Sequence, residues 1–186
     1  FPKGRMIELF GIPSSGKSLI SLLTIKNAQE LGLDCTYIDA ENGLDPKFAE
    51  SLGVDTKKLA ITQLSVGEDV IDLIMELLKT RPGIIVLDSV AALIPRAELE
   101  EPMDQQFMAL KARMLSRGLA KINAVNKKTL ILFINQLRST LVMYGAKTTT
   151  PGGRALGHYA SIRLEIKQGE KLTVDNKKTG EVIGQV

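Results

Sequence analysis

One segment constrains this chain more than any other. Gly11-Ile12-Pro13-Ser14-Ser15-Gly16-Lys17-Ser18 fits the spacing G-x-x-x-x-G-K-S/T. It follows a short apolar run, Arg5–Phe10, and precedes a stretch of helical character, Lys17–Leu31, with Gly32 just past its end. A strand, a glycine-rich turn and a helix in that order make a phosphate-binding loop. Glycines let the backbone wrap closely, so that N–H groups can point at phosphate oxygens. The helix adds the positive end of its dipole. In such a loop Lys17 supplies a point charge at the β- and γ-phosphates, and the Ser18 hydroxyl can ligate Mg²⁺.

The rest of the chain repeats the alternation. Cys35–Asp39, Leu59–Thr62, Ile84–Leu87, Thr129–Ile134 and Ile162–Lys167 read as strands, the last three as buried ones. Asp45-Pro46 starts a helix, with Asp as N-cap and Pro at the first helical position. Ser65 and Glu68 have capping-box spacing before a helix to about Leu78. Met108–Ile122 is helical, with Met108, Ala112, Leu115, Leu119 and Ile122 on one face. Strands alternating with helices predict an α/β fold with a mostly parallel, twisted sheet flanked by helices. From Gln168 onward the pattern is polar and hairpin-like, with a turn near Asp175–Gly180.

Composition removes several classes. The chain has 186 residues, 44% hydrophobic and 24% charged, which is ordinary for a globular domain and argues against wholesale disorder. A net charge of +3 permits a nucleic-acid partner without demanding one. One Cys excludes an internal disulfide and fits a reducing, cytoplasmic setting. No apolar stretch is long enough to span a bilayer, so no membrane partner is expected. The first residue is Phe1, which leads to the expectation of a trimmed piece of a longer protein.

The ends of three further strands belong at the same sheet edge. Asp88 ends the run Ile84–Leu87, where a carboxylate can hold Mg²⁺. Asp39 and Glu41 end the second strand, and either could orient and deprotonate a water attacking a γ-phosphate. Asn135-Gln136 ends the strand Thr129–Ile134, where an amide could sense the γ-phosphate and pass its presence to the loop that follows.

These segments resemble the ATPase core of the RecA recombinase family, in its bacterial and bacteriophage forms. The resemblance runs nearly end to end: GRMIELFG with its phosphate loop, YIDAENGLDP (Tyr37–Pro46), LGVD (Leu52–Asp55), IIVLDSVAALIPRAE (Ile84–Glu98), LKARMLSR (Leu110–Arg117), FINQLR (Phe133–Arg138), TTTPGGRAL (Thr148–Leu156) and YASIRLEI (Tyr159–Ile166). It implies a RecA-like P-loop fold in which residues 1–186 form the ATPase core, without the N-terminal oligomerisation segment and the C-terminal part. It implies a DNA-dependent ATPase that binds ATP and Mg²⁺ and assembles with itself into helical filaments. Such filaments on single-stranded DNA pair with double-stranded DNA and exchange strands in recombinational repair. Some members also stimulate repressor self-cleavage in the SOS response to DNA damage.

The resemblance also assigns residues. Glu41 would be the general base, with Lys17 and Gln136 completing the catalytic set. Gly11, Pro13, Ser14, Ser15, Gly16, Lys17, Ser18 and Leu19 would contact the nucleotide, Ser18 and Asp88 the Mg²⁺, and Asp45 and Phe48 the adenine. Phe48 stands where the bacterial family usually has Tyr, which keeps stacking but loses a hydroxyl. Two DNA-binding loops would lie around Glu98–Arg113 and Arg138–Arg154, with Met108, Arg113, Arg138, Leu141, Gly152, Gly153 and Arg154 at the DNA. The first loop is less glycine-rich than in the family. The second lacks a Lys near Ser139-Thr140 and gains Pro151. His158 and Gly157 also depart from the bacterial pattern, at a position of subunit contact.

Other features read without the family. Arg113, Arg117 and Lys121 recur at i, i+4 and i+8 as a basic stripe, which can track phosphates or simply face solvent. The acidic residues Glu98, Glu100, Glu101 and Asp104 read as a solvated loop rather than a metal site. Cys35 falls in a strand and reads as structural. Alternatives to the recombinase are a RecA-fold ring helicase or clock-type ATPase, a small-molecule kinase, and a non-enzymatic module.

Overall fold

The computed structural model describes residues 1–80, 82–100, 108–139, 148–149, 151–169, 171–173 and 182–185. Its elements, in chain order, are β1 (Met6–Gly11), α1 (Lys17–Glu30), β2 (Cys35–Asp39), α2 (Pro46–Ser51), β3 (Leu59–Gln63), α3 (Gly67–Thr80), β4 (Ile84–Asp88), α4 (Arg96–Glu100), α5 (Met108–Val125), β5 (Leu130–Gln136), β6 (Arg138–Ser139), β7 (Thr148–Thr149), α6 (Ala155–Tyr159), β8 (Ile162–Ile166), β9 (Lys171–Thr173) and β10 (Val182–Gln185). Six strands form one sheet in the order β3-β2-β4-β5-β1-β8, and every pairing in it is parallel.

The apolar runs explain the layering. In the central strands both faces are buried, so successive residues serve opposite cores. Ile84, Val86, Leu130, Leu132, Ile134, Ile7 and Leu9 face α1, where Leu22, Ile25 and Ala28 pack on them. Ile85, Leu87, Ile131, Phe133 and Ile38 face α3 and α5, meeting Val70, Ile74, Leu115, Leu119 and Ile122. Helices therefore cover both faces of the sheet, as parallel strands require. Met114 and Gly118 of α5 are buried as well, which widens the apolar face read from the sequence.

Local signals were realised in most elements. Asp45 caps α2, its side chain accepting from Lys47 N, with Pro46 at the first position. Helix α1 ends in a paired cap at Gly32, φ +70°, with Gly32 N–H donated to Gln29 O and Leu33 N–H to Ala28 O.

Two expectations are corrected. The capping box at Ser65 and Glu68 does not form, because α3 begins only at Gly67. Val66 instead bridges to Ile94, and the Glu68 carboxylate accepts from Arg96 N at 2.9 Å. Strand β8 is not a buried strand. It is the outer strand of the sheet as described, with Arg163, Leu164 and Glu165 exposed, because only β1 pairs with it. The polar C-terminal region does form an antiparallel pair, β9 with β10. Its expected turn lies outside the described residues.

Candidate nucleotide site

Parallel pairing brings the strand ends to one edge. Register places Asp39 beside Asp88, and Gly11 beside Gln136. Residues scattered from position 11 to position 136 thereby line one crevice at the carboxyl ends of the strands, the usual ligand edge of an open α/β sheet.

The phosphate loop connects β1 to α1. Gly16 stands at the N-cap of α1 with φ +95°, a conformation that side chains with a Cβ resist. Ser14 also has positive φ, +58°. No acidic residue lies in the first turn of α1, so its dipole is unopposed there. Lys17 is 7% exposed, and its Nζ donates to Ile12 O at 2.6 Å and to Gly11 O at 3.2 Å. Burial lowers its pKa, while the charges of Asp88 and Glu41 act in the opposite direction. A buried ammonium held by two carbonyls and, at 3.4 Å, the Ser15 hydroxyl, next to a helix N-terminus, suits an anionic group. Leu19 is exposed on the same first turn.

The acidic half of the crevice is built from two carboxylates. Ser18 Oγ donates to Asp88 Oδ2 at 2.7 Å, and Tyr37 Oη donates to the same oxygen at 2.6 Å. Burial pushes the Asp88 carboxyl up, and these two hydrogen bonds oppose the rise. Glu41 is exposed, and its Oε1 accepts from Gln136 Nε2 at 2.6 Å and from Ser89 Oγ. Asp39 is otherwise engaged. Its Oδ1 accepts from Gly43 N at 3.1 Å and its Oδ2 from Leu44 N at 2.9 Å. Of the two carboxylates that sequence left open as a base, Asp39 closes a turn and Glu41 faces the crevice.

The donors fit a magnesium nucleotide. Mg²⁺ prefers one or two protein oxygens plus phosphates and waters. Ser18 and Asp88 offer that set, and among the described residues no group of three or more His, Cys, Asp or Glu competes as a metal cage.

Behind Gln136 a second network ties three strands together. Glu8 on β1 is fully buried and accepts from Asn135 Nδ2 at 2.9 Å and from Arg163 Nε at 2.6 Å. Asn135 Nδ2 also reaches Pro151 O at 3.3 Å, and Asn135 Oδ1 accepts from Gln136 N at 3.0 Å. The Arg163 guanidinium lies 4.8 Å from the centroid of the Phe10 ring.

The family model described as the RecA N-terminal domain matches residues 1–185. The protein RecA of Mesoplasma florum is 45% identical over 176 residues, covering 92% of this chain and 53% of that protein. RecA of Thermotoga neapolitana is 45% identical over 190 residues, and RecA of Bacillus velezensis 44% over 184, covering 100% and 97% of this chain and 53% of each of those proteins.

This chain belongs to the RecA family.

It spans about half the length of the curated RecA proteins it matches. The RecA-like fold carries the other singled-out residues as follows. Asp45 caps α2 and Phe48 lies on it, 46% exposed. Gln136 leads within two residues into β6, whose Arg138 and Ser139 pair with Thr149 and Thr148 of β7. Residues 138–139 and 148–149 thus form a short antiparallel stem. Leu141 lies outside the described residues. Gly152 and Gly153 have φ of +93° and +71°, and a Cβ on Gly152 would stand 2.4 Å from Leu115 Cδ1. Arg154 is exposed at the start of α6.

Met108 is the first residue of α5, and Arg113, Arg117 and Lys121 are exposed along that helix. They face Glu68 and Asp72 of α3 across a groove of about 440 Å³, so the stripe is not purely basic. Cys35 is buried, its thiol pushed up to about 11, first by burial and then by the Asp34 charge. His158 is exposed and meets Tyr159 edge to face. Of the acidic residues, Glu98 is half-buried, while Glu101 and Asp104 lie outside the described residues. Sequence reasoning missed Ser89, Tyr37 and Glu8. A tyrosine in an apolar strand, or a serine just past the end of one, gives no local sign of what it touches. Glu8 alone carried a signal, being a carboxylate inside an otherwise apolar run.

Among the described residues no helix is long and apolar enough to cross a membrane.

Proposed function

We propose that this chain is the ATPase core of a DNA-dependent recombinase, which binds ATP with Mg²⁺ and hydrolyses it to ADP and phosphate. One arrangement carries the reading. Lys17, Ser18, Asp88, Glu41 and Gln136 meet at one sheet edge, and Gln136 opens the stem of the loop expected at the DNA. In this reading Lys17 and the phosphate-loop N–H groups bind the β- and γ-phosphates. Ser18 and Asp88 would hold Mg²⁺, which when bound neutralises phosphate charge. Glu41 accepts a proton from the water that attacks the γ-phosphorus, and Gln136 orients that carboxylate. Asp45 and Phe48 flank the adenine.

A nucleotide at the crevice would compete for Gln136 and so alter the β6–β7 stem that follows it. That competition supports a switch in which nucleotide state sets affinity for single-stranded DNA. Met108, Arg113, Arg138, Leu141, Gly152, Gly153 and Arg154 would form the DNA contacts. The intact protein would assemble with itself in a helix, pair the bound strand with duplex DNA and work in the cytoplasm. The runner-up, a ring-forming ATPase of the same fold, shares the site and differs in assembly.

The test is ATP hydrolysis by the intact protein, with and without single-stranded DNA, beside Lys17→Ala. Strong stimulation by DNA that disappears in the variant is expected. Equal rates with and without DNA would overturn the coupling. Electron microscopy with ATP and DNA separates open filaments from closed rings.

A further inference from the structure

Tyr37 occupies an unusual place in the site. Its ring fills the apolar layer under α1, with Leu22, Ile25 and Val86 in the same cluster, and it is 1% exposed. A phenylalanine would fill that socket equally well, so packing does not ask for the hydroxyl. A buried hydroxyl without a partner costs free energy. Here the hydroxyl donates to the carboxylate at the end of β4, and the Ser21 hydroxyl lies within hydrogen-bonding reach of it as well. Tyr37 Oη donates to Asp88 Oδ2 at 2.6 Å.

Ser18 Oγ donates to that same oxygen at 2.7 Å. The two donors come from different elements, Tyr37 from β2 and Ser18 from the start of α1. Two hydrogen bonds on Oδ2 from separate anchors fix the rotation of the carboxylate and leave Oδ1 outside both. Ser18 has a second task in the nucleotide-bound state, since its lone pairs are a metal ligand. Tyr37 sits behind the carboxylate, buried, and has no such task.

We infer that Tyr37 is a positioning residue of the nucleotide site, whose hydroxyl holds Asp88 so that Oδ1 is presented to Mg²⁺. The inference rests on the ATPase reading above and adds a residue to it. Tyr37 touches neither nucleotide nor metal. It acts through the orientation of Asp88, and its effect is confined to the magnesium-dependent part of binding.

The experiment uses the intact protein carrying this chain, as wild type, Tyr37→Phe and Lys17→Ala. A fluorescent ATP analogue is titrated first in EDTA and then against MgCl₂, with thermal melting of each protein recorded alongside. Tyr37→Phe is expected to bind the analogue in EDTA as wild type does. It is expected to need roughly tenfold more Mg²⁺ for half-maximal tightening, the size of one lost hydrogen bond to a charged group. An unchanged or lower Mg²⁺ midpoint, beside a normal wild-type response, overturns this inference alone. A parallel loss of affinity in EDTA, or a melting point too low to keep the fold, assigns Tyr37 a structural role and also overturns it. A wild type with no Mg²⁺-dependent binding, or Lys17→Ala binding as wild type, overturns the nucleotide-site reading itself.

Discussion

Gln136 and Glu41, 95 residues apart in sequence, are joined by a 2.6 Å hydrogen bond from the amide of one to the carboxylate of the other. The contact links the end of β5 to the loop after β2 across β4. It sets the candidate base and the candidate sensor against each other in a single pair. Anything that draws Gln136 away leaves Glu41 Oε1 with Ser89 Oγ as its donor.

That pair makes a sharp prediction. Glu41→Gln removes the proton acceptor but keeps the shape and the hydrogen-bonding oxygen. Turnover of ATP is expected to fall by about 100-fold or more, the usual contribution of a general base, with nucleotide affinity little changed. Gln136→Ala is expected to lower basal turnover less than Glu41→Gln does, and to lose the response to DNA. Steady-state hydrolysis and equilibrium nucleotide binding, measured with and without single-stranded DNA, distinguish the two variants.

Lys17 is held by two backbone carbonyls and is ready to exchange them for phosphate oxygens. Lys17→Ala is expected to weaken ATP by about tenfold to 100-fold, as loss of a charge-assisted hydrogen bond does. The fold should survive, because Gly11 O keeps the Leu137 N–H as a donor and the carbonyl of exposed Ile12 can turn to water. Calorimetric titration with ATP beside a thermal melt tests both halves.

Glu8 and Arg163 form an asymmetric pair, the carboxylate fully buried and the guanidinium 42% exposed. Removing the cation leaves Glu8 with Asn135 as its remaining donor. Arg163→Ala is expected to destabilise the protein by about 2 kcal/mol, less than a fully buried pair would lose because solvent already screens the guanidinium. Glu8→Ala should cost at least as much, since it leaves a cavity beside Asn135. Urea unfolding read by circular dichroism gives both values, with an unchanged slope expected.

Cys35 offers a pH test. Its folded-state pKa is raised from 9.0 to about 11, so the fold favours the neutral thiol. The Cys35 contribution to stability is complete below pH 9.0 and is lost as pH rises toward about 11. Cys35→Ala should flatten the stability curve in that window. The native thiol should also resist iodoacetamide near neutral pH and react only on unfolding, which mass spectrometry of timed samples would show.

Much of this fold can be read from residue order alone. Glycine spacing before Lys17-Ser18 sets the phosphate turn, since few residues tolerate that backbone and none replaces the ammonium. The runs Ile84–Leu87 and Leu130–Ile134 announce strands covered on both faces, because water leaves no other place for them. Asp45-Pro46 marks a helix start through chemistry confined to neighbouring residues. Those signals are local, so sequence carries them in full. Tertiary structure decided what was not local. Whether Asp39 or Glu41 faced the crevice depended on the turn at Gly43 and Leu44. The fate of Glu68 depended on Arg96, and the exposure of β8 on which strands pair with it. The meetings of Tyr37 with Asp88 and of Glu8 with Arg163 depended on strand order, which brings residues 51 and 155 positions apart within hydrogen-bonding distance. A hydrogen bond reports on distance in space. Sequence supplies its donors and acceptors, and only the folded sheet pairs them.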